Sequence, residues 1–412
     1  MPMNKKAVAV IVIPMAGHFL PLMDLLTPLE QDYTFTIYTT SSRRQEVISK
    51  GFQFQPLSMH YDDEDINTLA YSSSQLTLLS AFKTFQQVAK MVTNITFELI
   101  ERIEADLIIA DMMLFTAQYL SDKTGIPLIS AFPIPFVSQG YDDTPTFLRM
   151  PYFENKVINK LANQGLKWGK DLIFLGCKPY LPKDFHLWHV NQKQPLLEYF
   201  YSKESIVAYG IKSLEFRTDL PKHLKFIGYP LIIPEHTYHS IGNIVTFSDY
   251  KKVILVTSGT LVKWSKDYFR NMAKAIATQY PNFLVIFTEG TVGKKPILDG
   301  NLYTCSFIPY DTYLPNIDYV VHHGAAGIFY KAIANAIPSL IIPMDFDQYD
   351  FAKRADYFQV GIYVKNRKLK TVLDAFQNLI TANWPNLPEY AKEVNSTPSS
   401  LLLAKEIDRL IQ

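Results

Sequence analysis

The apolar positions of this chain fall into short runs separated by longer amphipathic stretches. Ala7–Ile13 is continuously apolar, the pattern of a strand buried on both faces, while Thr34–Thr39 alternates with period two. The spacing predicts helices over Leu20–Glu30 and Arg43–Lys50, a strand over Phe52–Pro56 and a long helix over Leu76–Ile103. Leu107–Ala110 reads as a buried strand ending in Asp111, and after a helix Pro127–Ala131 reads as the next. Strand and helix alternate throughout, which predicts a doubly wound parallel sheet.

From Phe132 to about Phe200 the pattern loosens, and prolines and aromatics such as Tyr141, Tyr152, Trp168 and Trp188 become frequent. Irregular packing around helices and the wall of an apolar pocket are both open readings of that segment. Ser205–Ala208 returns to strand, Pro221–Pro234 reads as a crossover, and His236–Asp249 as a polar connection. A second α/β unit follows, with strand Val253–Thr260, helix Lys266–Tyr280, and strands Phe283–Thr288 and Leu302–Phe307. Next come a strand (Asp318–Val321), a small-residue turn (His322–Gly327), a helix (Ile328–Ala336), a strand (Ser339–Pro343) and an acidic loop (Asp345–Gln348). Helix Tyr349–Phe358, strand Gly361–Val364 and further helices end the chain. The expected division is therefore 1–225, 226–385 and a C-terminal helical segment 386–412 that returns to the first domain.

Composition narrows the classes. At 412 residues two domains are expected. Forty basic against 39 acidic residues leave no excess charge for holding nucleic acid. Cys177 and Cys305 stand far apart without metal-type spacing, which fits a reduced cytoplasm. Lys5-Lys6 before an apolar run imitates a signal peptide, but Pro14 and Gly17-His18 end the run with no cleavage pattern. No window reaches transmembrane length, and no basic amphipathic helix stands out near the N-terminal face. The expectation is a cytoplasmic protein of undetermined oligomeric state.

The turn His322–Gly327 is a ready anion site, because glycines admit a phosphate close to the backbone and a helix N-terminus offers unpaired N–H groups. His323 at its entrance and Asp347-Gln348 after the next strand could together span a sugar nucleotide. At the other end of the chain, His18 sits at a strand–helix turn, and Asp111 ends a strand. Taken singly, His18 could be a structural turn residue and Asp111 a helix N-cap.

Five places together, Pro14–Pro21, Asp111, Thr257–Thr260, Phe307–Pro315 and Val320–Gln348, resemble the nucleotide-sugar glycosyltransferases of family 1. That family has the GT-B fold, two Rossmann-like doubly wound domains facing across a cleft, and includes macrolide and plant natural-product glucosyltransferases. The resemblance covers essentially the whole chain. It implies an inverting, metal-independent transfer of a hexose, with glucose the first expectation, to a hydroxyl of a hydrophobic small molecule. His18 would be the base and Asp111 its orienting carboxylate, since imidazole titrates in the range that proton removal requires. His323 and the N–H groups of Gly324, Ala325, Ala326, Gly327 and Ile328 would take the diphosphate charge, assisted by Gly259 and Thr260. Phe307 would stack the base, Ile308 would meet its edge, and Asp347 and Gln348 would bind sugar hydroxyls. No cofactor beyond the nucleotide-sugar co-substrate is implied.

The departures are specific. Ile328 stands where the family offers a hydroxyl, Lys331 where many members use Glu on the ribose, Tyr310 for Gln, Phe351 for Asn and Ala325 for Gly. Lys donates and cannot accept, so UDP-glucose, the default by family frequency, shares candidacy with TDP-sugars. Asp345-Phe346-Asp347 has the D-x-D form of a metal site, but its place in this signature assigns Asp347 to the sugar and no metal is expected. The alternatives are transfer to a membrane lipid and a non-catalytic relative that binds a partner.

Overall fold

The computed structural model describes the chain outside residues 1–4, 67–77, 134–154, 178, 180–181, 191–199, 219, 233, 235, 237, 242–243, 260–262, 291–294 and 345–346. Its first sheet comprises β1 (Lys6–Ile11), β2 (Tyr33–Thr39), β3 (Gln53–Pro56), β4 (Leu107–Asp111), β5 (Leu128–Phe132), β6 (Ser205–Ala208) and β7 (Leu224–Phe226). They lie in the order β3-β2-β1-β4-β5-β6-β7, every pair parallel. A small antiparallel ribbon, β8 (Ser240–Ile241) with β9 (Val245–Thr246), occupies the stretch expected as a bare connection.

The second sheet comprises β10 (Lys252–Thr257), β11 (Phe283–Thr288), β12 (Ile297–Asp299), β13 (Leu302–Cys305), β14 (Tyr319–His322), β15 (Ser339–Ile341) and β16 (Gly361–Tyr363). Their order is β12-β13-β11-β10-β14-β15-β16, parallel except for the edge strand β12. Both sheets reverse order beside their first strand, and in open α/β sheets ligands bind outside the carboxyl ends of the strands at such a switch point. The two sheets are the doubly wound pair that the alternating pattern predicts. The exposed strand β12 and the short strand β7 escaped the reading, because neither carries a buried apolar run.

Six helices position the site: α1 (Ala16–Leu26), α2 (Leu78–Arg102), α3 (Lys156–Cys177), α4 (Ala326–Ala334), α5 (Gln348–Tyr357) and α6 (Ser399–Ile411). Helix α1 begins four residues before the expected start and carries Pro21 within it. Pro21 is the sixth residue of α1, past the first turn where proline is best tolerated, and apolar side chains Phe19, Leu22, Met23, Leu25 and Leu26 are buried around it. Each such side chain contributes about 1.5–3 kcal/mol on burial, enough to offset a missing N–H bond.

One hydrophobic core joins both halves. Val10, Phe19, Leu22 and Tyr209 of the first sheet's layer belong to the same cluster as Phe329, Tyr330 and Phe351 of the second. The approach is close: a Cβ on Gly210 would lie 2.1 Å from the hydroxyl of Tyr330. Helix α6 returns to the first sheet, where the Tyr33 hydroxyl donates to Asp408 at 2.6 Å, Ser205 donates to Glu406 at 2.9 Å, and Lys225 pairs with Glu406. Among the described residues no helix is long and apolar enough to cross a membrane.

Candidate active site

Chain direction brings His18 and Asp111 together. β1 and β4 are neighbours, so the turn leaving β1 and the last residue of β4 meet at one sheet edge. Met15 is the extended N-cap of α1, which places His18 in the first helical turn. Arg43 fastens the preceding loop by donating from Nε and Nη2 to the Pro14 carbonyl at 3.0 and 2.8 Å. His18 Nδ1 then lies 2.8 Å from Asp111 Oδ2, with His18 8% and Asp111 2% exposed. Asp111 Oδ1 accepts the N–H of Met113 at 2.9 Å. The carboxylate is an acceptor, so Nδ1 carries the proton and Nε2 is left with its lone pair. Burial pulls the imidazole pKa down, but the charge and hydrogen bond of Asp111, joined by the charge of Asp347, leave it raised above the usual 6.5. Asp111 is not a helix N-cap, because the next helix starts at Ala117 with Thr116 before it.

An apolar pocket reaches Asp111. Ile11, Pro14, Leu57, Val92, Ile95 and Leu114 are among its lining residues, and Asp111 is its one charged member among the described residues.

The second half carries the residues expected to hold the donor. His322 is the last residue of β14, pairs with Thr257 and Ile341 across the sheet, and accepts the Gly324 N–H on its Nδ1 at 3.0 Å. Fully buried beside His323, it is held well below the ordinary imidazole pKa. Its part is to shape the turn. His323 is packed against Gly259, where a Cβ would stand 2.4 Å from its Cε1 atom, and Gly259 has φ +67°. Burial, partly opposed by a hydrogen bond to the Thr257 carbonyl, lowers its pKa to about 4. Its Nδ1 has no hydrogen-bond partner among the described residues.

Helix α4 starts at Ala326, two residues before the expected Ile328, with Ala325 as an N-cap that makes no side-chain hydrogen bond. The Phe329 N–H bonds the Ala325 carbonyl at 3.1 Å. The preceding N–H groups of Ala326, Gly327 and Ile328 have no carbonyl one turn back. Gly324, at φ +100°, sits where a Cβ would come within 2.9 Å of the Gln348 carbonyl. That contact ties the turn to the start of α5. Gln348 is buried, and its Oε1 accepts the Met344 N–H at 2.8 Å. Burial, partly opposed by the positive charge of His18 and reinforced by Asp350, raises the carboxyl of Asp347 to about 7. The residue assigned to the sugar and the residue assigned as base thus feel each other across the two halves.

Four of the five departures, Ile328, Lys331, Tyr310 and Phe351, have an internal partner. Ile328 is 3% exposed and packs in the second-half core with Leu314, Ala332 and Ile337. Lys331 Nζ lies 2.5 Å from Asp311 Oδ2. Tyr310 and Thr257 share a hydrogen bond of 2.9 Å between hydroxyls. Phe351 packs against Phe329 with ring centroids 5.0 Å apart. Phe307 is 62% exposed, while Ile308 is buried. Thr260, Asp345 and Phe346 lie outside the described residues, as do Tyr141 and Tyr152.

The sequence reading missed an inter-half charge cluster. Arg354 of α5 donates from Nη2 to Glu215 Oε2 at 2.6 Å, Arg217 donates to the same oxygen at 2.8 Å, and the Arg354 guanidinium lies 4.7 Å from the Phe216 ring centroid. Glu215 and Arg354 are 139 positions apart, so only the sequence Glu-Phe-Arg of residues 215–217 hinted at a buried pair.

Residues 279–401 match the family profile described as erythromycin biosynthesis protein CIII-like, C-terminal domain. The 4'-demethylrebeccamycin synthase of Lentzea aerocolonigenes is 22% identical over 383 residues, covering 88% of each chain. The crystal structure of the glycotransferase of kitacinnamycin superposes with a TM-score of 0.73 at 17% identity, over 99% of this chain and 100% of that one. A Streptomyces sp. glycosyltransferase complexed with thymidine diphosphate gives 0.60 at 16% identity, over 98% and 99%. The chain is a sugar-transferring enzyme of the GT-B fold, homologous to glycosyltransferases of natural-product pathways and carrying an EryCIII-like C-terminal domain.

Proposed function

We propose that the chain catalyses an inverting, metal-independent transfer of a hexose, glucose first, from a nucleoside diphosphate to a hydroxyl of an apolar small molecule. The observation that carries this reading is the 2.8 Å bond of His18 to Asp111, a carboxylate that lines an apolar pocket. With Nδ1 held protonated by Asp111, Nε2 accepts the acceptor's hydroxyl proton as its oxygen bonds to the anomeric carbon. The bond from that carbon to the phosphate oxygen breaks, and the nucleoside diphosphate leaves with the electron pair. Its charge falls on the free N–H groups of Ala326, Gly327 and Ile328 and on His323, whose imidazole gains a proton more readily beside a dianion.

Phe307 stacks the base, and Asp347 and Gln348 meet the sugar hydroxyls. A TDP-sugar is the first donor to try, since a structural neighbour was solved with thymidine diphosphate and Lys331 cannot accept ribose hydroxyls. UDP-glucose is the second. The test incubates purified protein with TDP-glucose and UDP-glucose and a panel of phenolic acceptors, following nucleoside diphosphate release and the anomeric configuration of the product. Inverted glycoside from wild type and none from His18→Ala is the expected result. Undiminished turnover by His18→Ala removes the proposed base, and no turnover with any donor favours a binding role.

A further inference from the structure

Helix α3 carries its polarity inside out. Asn159 and Asn163, one turn apart, are buried to 2% and 5% exposure, whereas Val157, Leu161 and Trp168 stand 67%, 69% and 63% exposed. Spacings of four and seven residues set those three side chains on one helix face. Ile158 beside them is 40% exposed. Each large apolar side chain left in water forgoes about 1.5–3 kcal/mol of burial, so a stripe of this kind invites an apolar neighbour.

The charge says which neighbour. The helix holds four lysines against one acidic residue, Asp171, and Lys156 and Lys160 are exposed next to the stripe. A tryptophan and leucine face edged by lysines is the composition of helices that lie in the boundary between lipid headgroups and acyl chains. Lysine stems can rest on apolar surface while the ammonium reaches anionic headgroups. A single helical stripe is also narrow for a stable protein contact, which needs about 800 Å² from each partner. Helix α3 packs on α2, whose Val88, Val92 and Ile95 wall the apolar pocket that ends at Asp111.

We propose that α3 seats the protein on an anionic lipid bilayer, with Val157, Leu161 and Trp168 entering the headgroup boundary and Lys156 and Lys160 meeting the anionic headgroups. The seat lies one helix away from the pocket assigned to the acceptor. An apolar substrate partitioned into the bilayer is thereby concentrated beside that pocket. The proposal departs from the expectation that no basic amphipathic helix stands out near the N-terminal face. The pattern was hidden because asparagines at the buried positions make the helix read as polar inside.

Flotation of the purified chain with vesicles tests the proposal without donor or acceptor, so its outcome is independent of the transferase reading. The chain is expected to float with vesicles of phosphatidylcholine containing about 30% phosphatidylglycerol, less with phosphatidylcholine alone, and less at about 0.5 M salt. Leu161→Gln with Trp168→Gln should abolish flotation. Lys156→Glu with Lys160→Glu should lower the partition coefficient at least about thirtyfold. Both doubles should keep the wild-type melting temperature. The proposal fails if wild type stays unbound to anionic vesicles at low salt, or if the Leu161/Trp168 double floats as well as wild type. It also fails if light scattering finds a wild-type dimer that this double converts to monomer while neither binds vesicles, since a second copy then covers the stripe.

Discussion

Asp111 divides its two oxygens between a side chain and the backbone: Oδ2 lies 2.8 Å from His18 Nδ1, and Oδ1 accepts the Met113 N–H at 2.9 Å. The second bond fixes the carboxylate plane, and the first fixes the imidazole tautomer. Asp111→Asn removes the charge and permits the wrong tautomer. Turnover should fall by about 10²–10⁴ with little change in the KM for donor.

The same pair sets a pH limb. A base must be unprotonated, and His18 has a pKa above 6.5 because Asp111 and Asp347 outweigh its burial. Activity should therefore rise with pH through a value above 6.5. In Asp111→Asn the residual activity should show that limb moved to lower pH, since burial alone favours the neutral ring. A limb that stays in place would assign it to another group.

Glu215 joins the two halves through Arg354 at 2.6 Å, both side chains being nearly inaccessible to water. Glu215→Gln leaves two buried guanidinium groups short of their counter-charge. The expected loss is about 3–5 kcal/mol in chemical denaturation. The guanidinium groups of Arg217 and Arg354 overcome burial and hold the Glu215 carboxyl at about 2 against a usual 4.5. A depressed carboxyl contributes stability that is complete above its unfolded pKa and disappears as pH falls through the folded one. Wild type should lose stability between about pH 4.5 and 2 more steeply than Glu215→Gln does.

Gly259 has φ +67° and leaves no room for a Cβ against His323. Gly259→Ala should cost about 1 kcal/mol in backbone strain and displace the imidazole from the phosphate turn. The donor KM should rise about tenfold with the acceptor KM unchanged, a split that simple destabilisation does not give.

Lys331 and Asp311 are 17% and 19% exposed and 2.5 Å apart. Lys331→Glu brings two carboxylates into contact and should lower stability by about 1–3 kcal/mol. It should not by itself raise the preference for UDP over TDP donors. The exchanged pair, Lys331→Glu with Asp311→Lys, should recover the stability and shift the donor ratio toward UDP. Competition between the two donors reads the ratio directly.

Turnover is expected to survive a chelator, because Asp347 is assigned to the sugar and the leaving charge to N–H groups and His323. Loss of activity with chelator, restored by a divalent cation, would return Asp345 and Asp347 to a metal-binding role.

What the sequence determined by itself is the part governed by local periodicity and short-range chemistry. Buried parallel strands announce themselves as apolar runs such as Ala7–Ile13, and the turn at Gly324–Gly327 by residues too small to obstruct an anion. His18, Asp111 and Asp347 stand out in the sequence as candidates because each ends or follows such an element. Tertiary structure alone decided which polar groups neutralise one another. Lys331 reads as an absent carboxylate until Asp311 is found beside it, and Tyr310 as a lost Gln until its hydroxyl meets Thr257. Glu215 and Arg354 share no local pattern at all. Nor could sequence assign the faces of α3, where asparagines turn inward and Trp168 outward. Helical periodicity fixes which residues share a face, but only the neighbouring chain determines which face is buried.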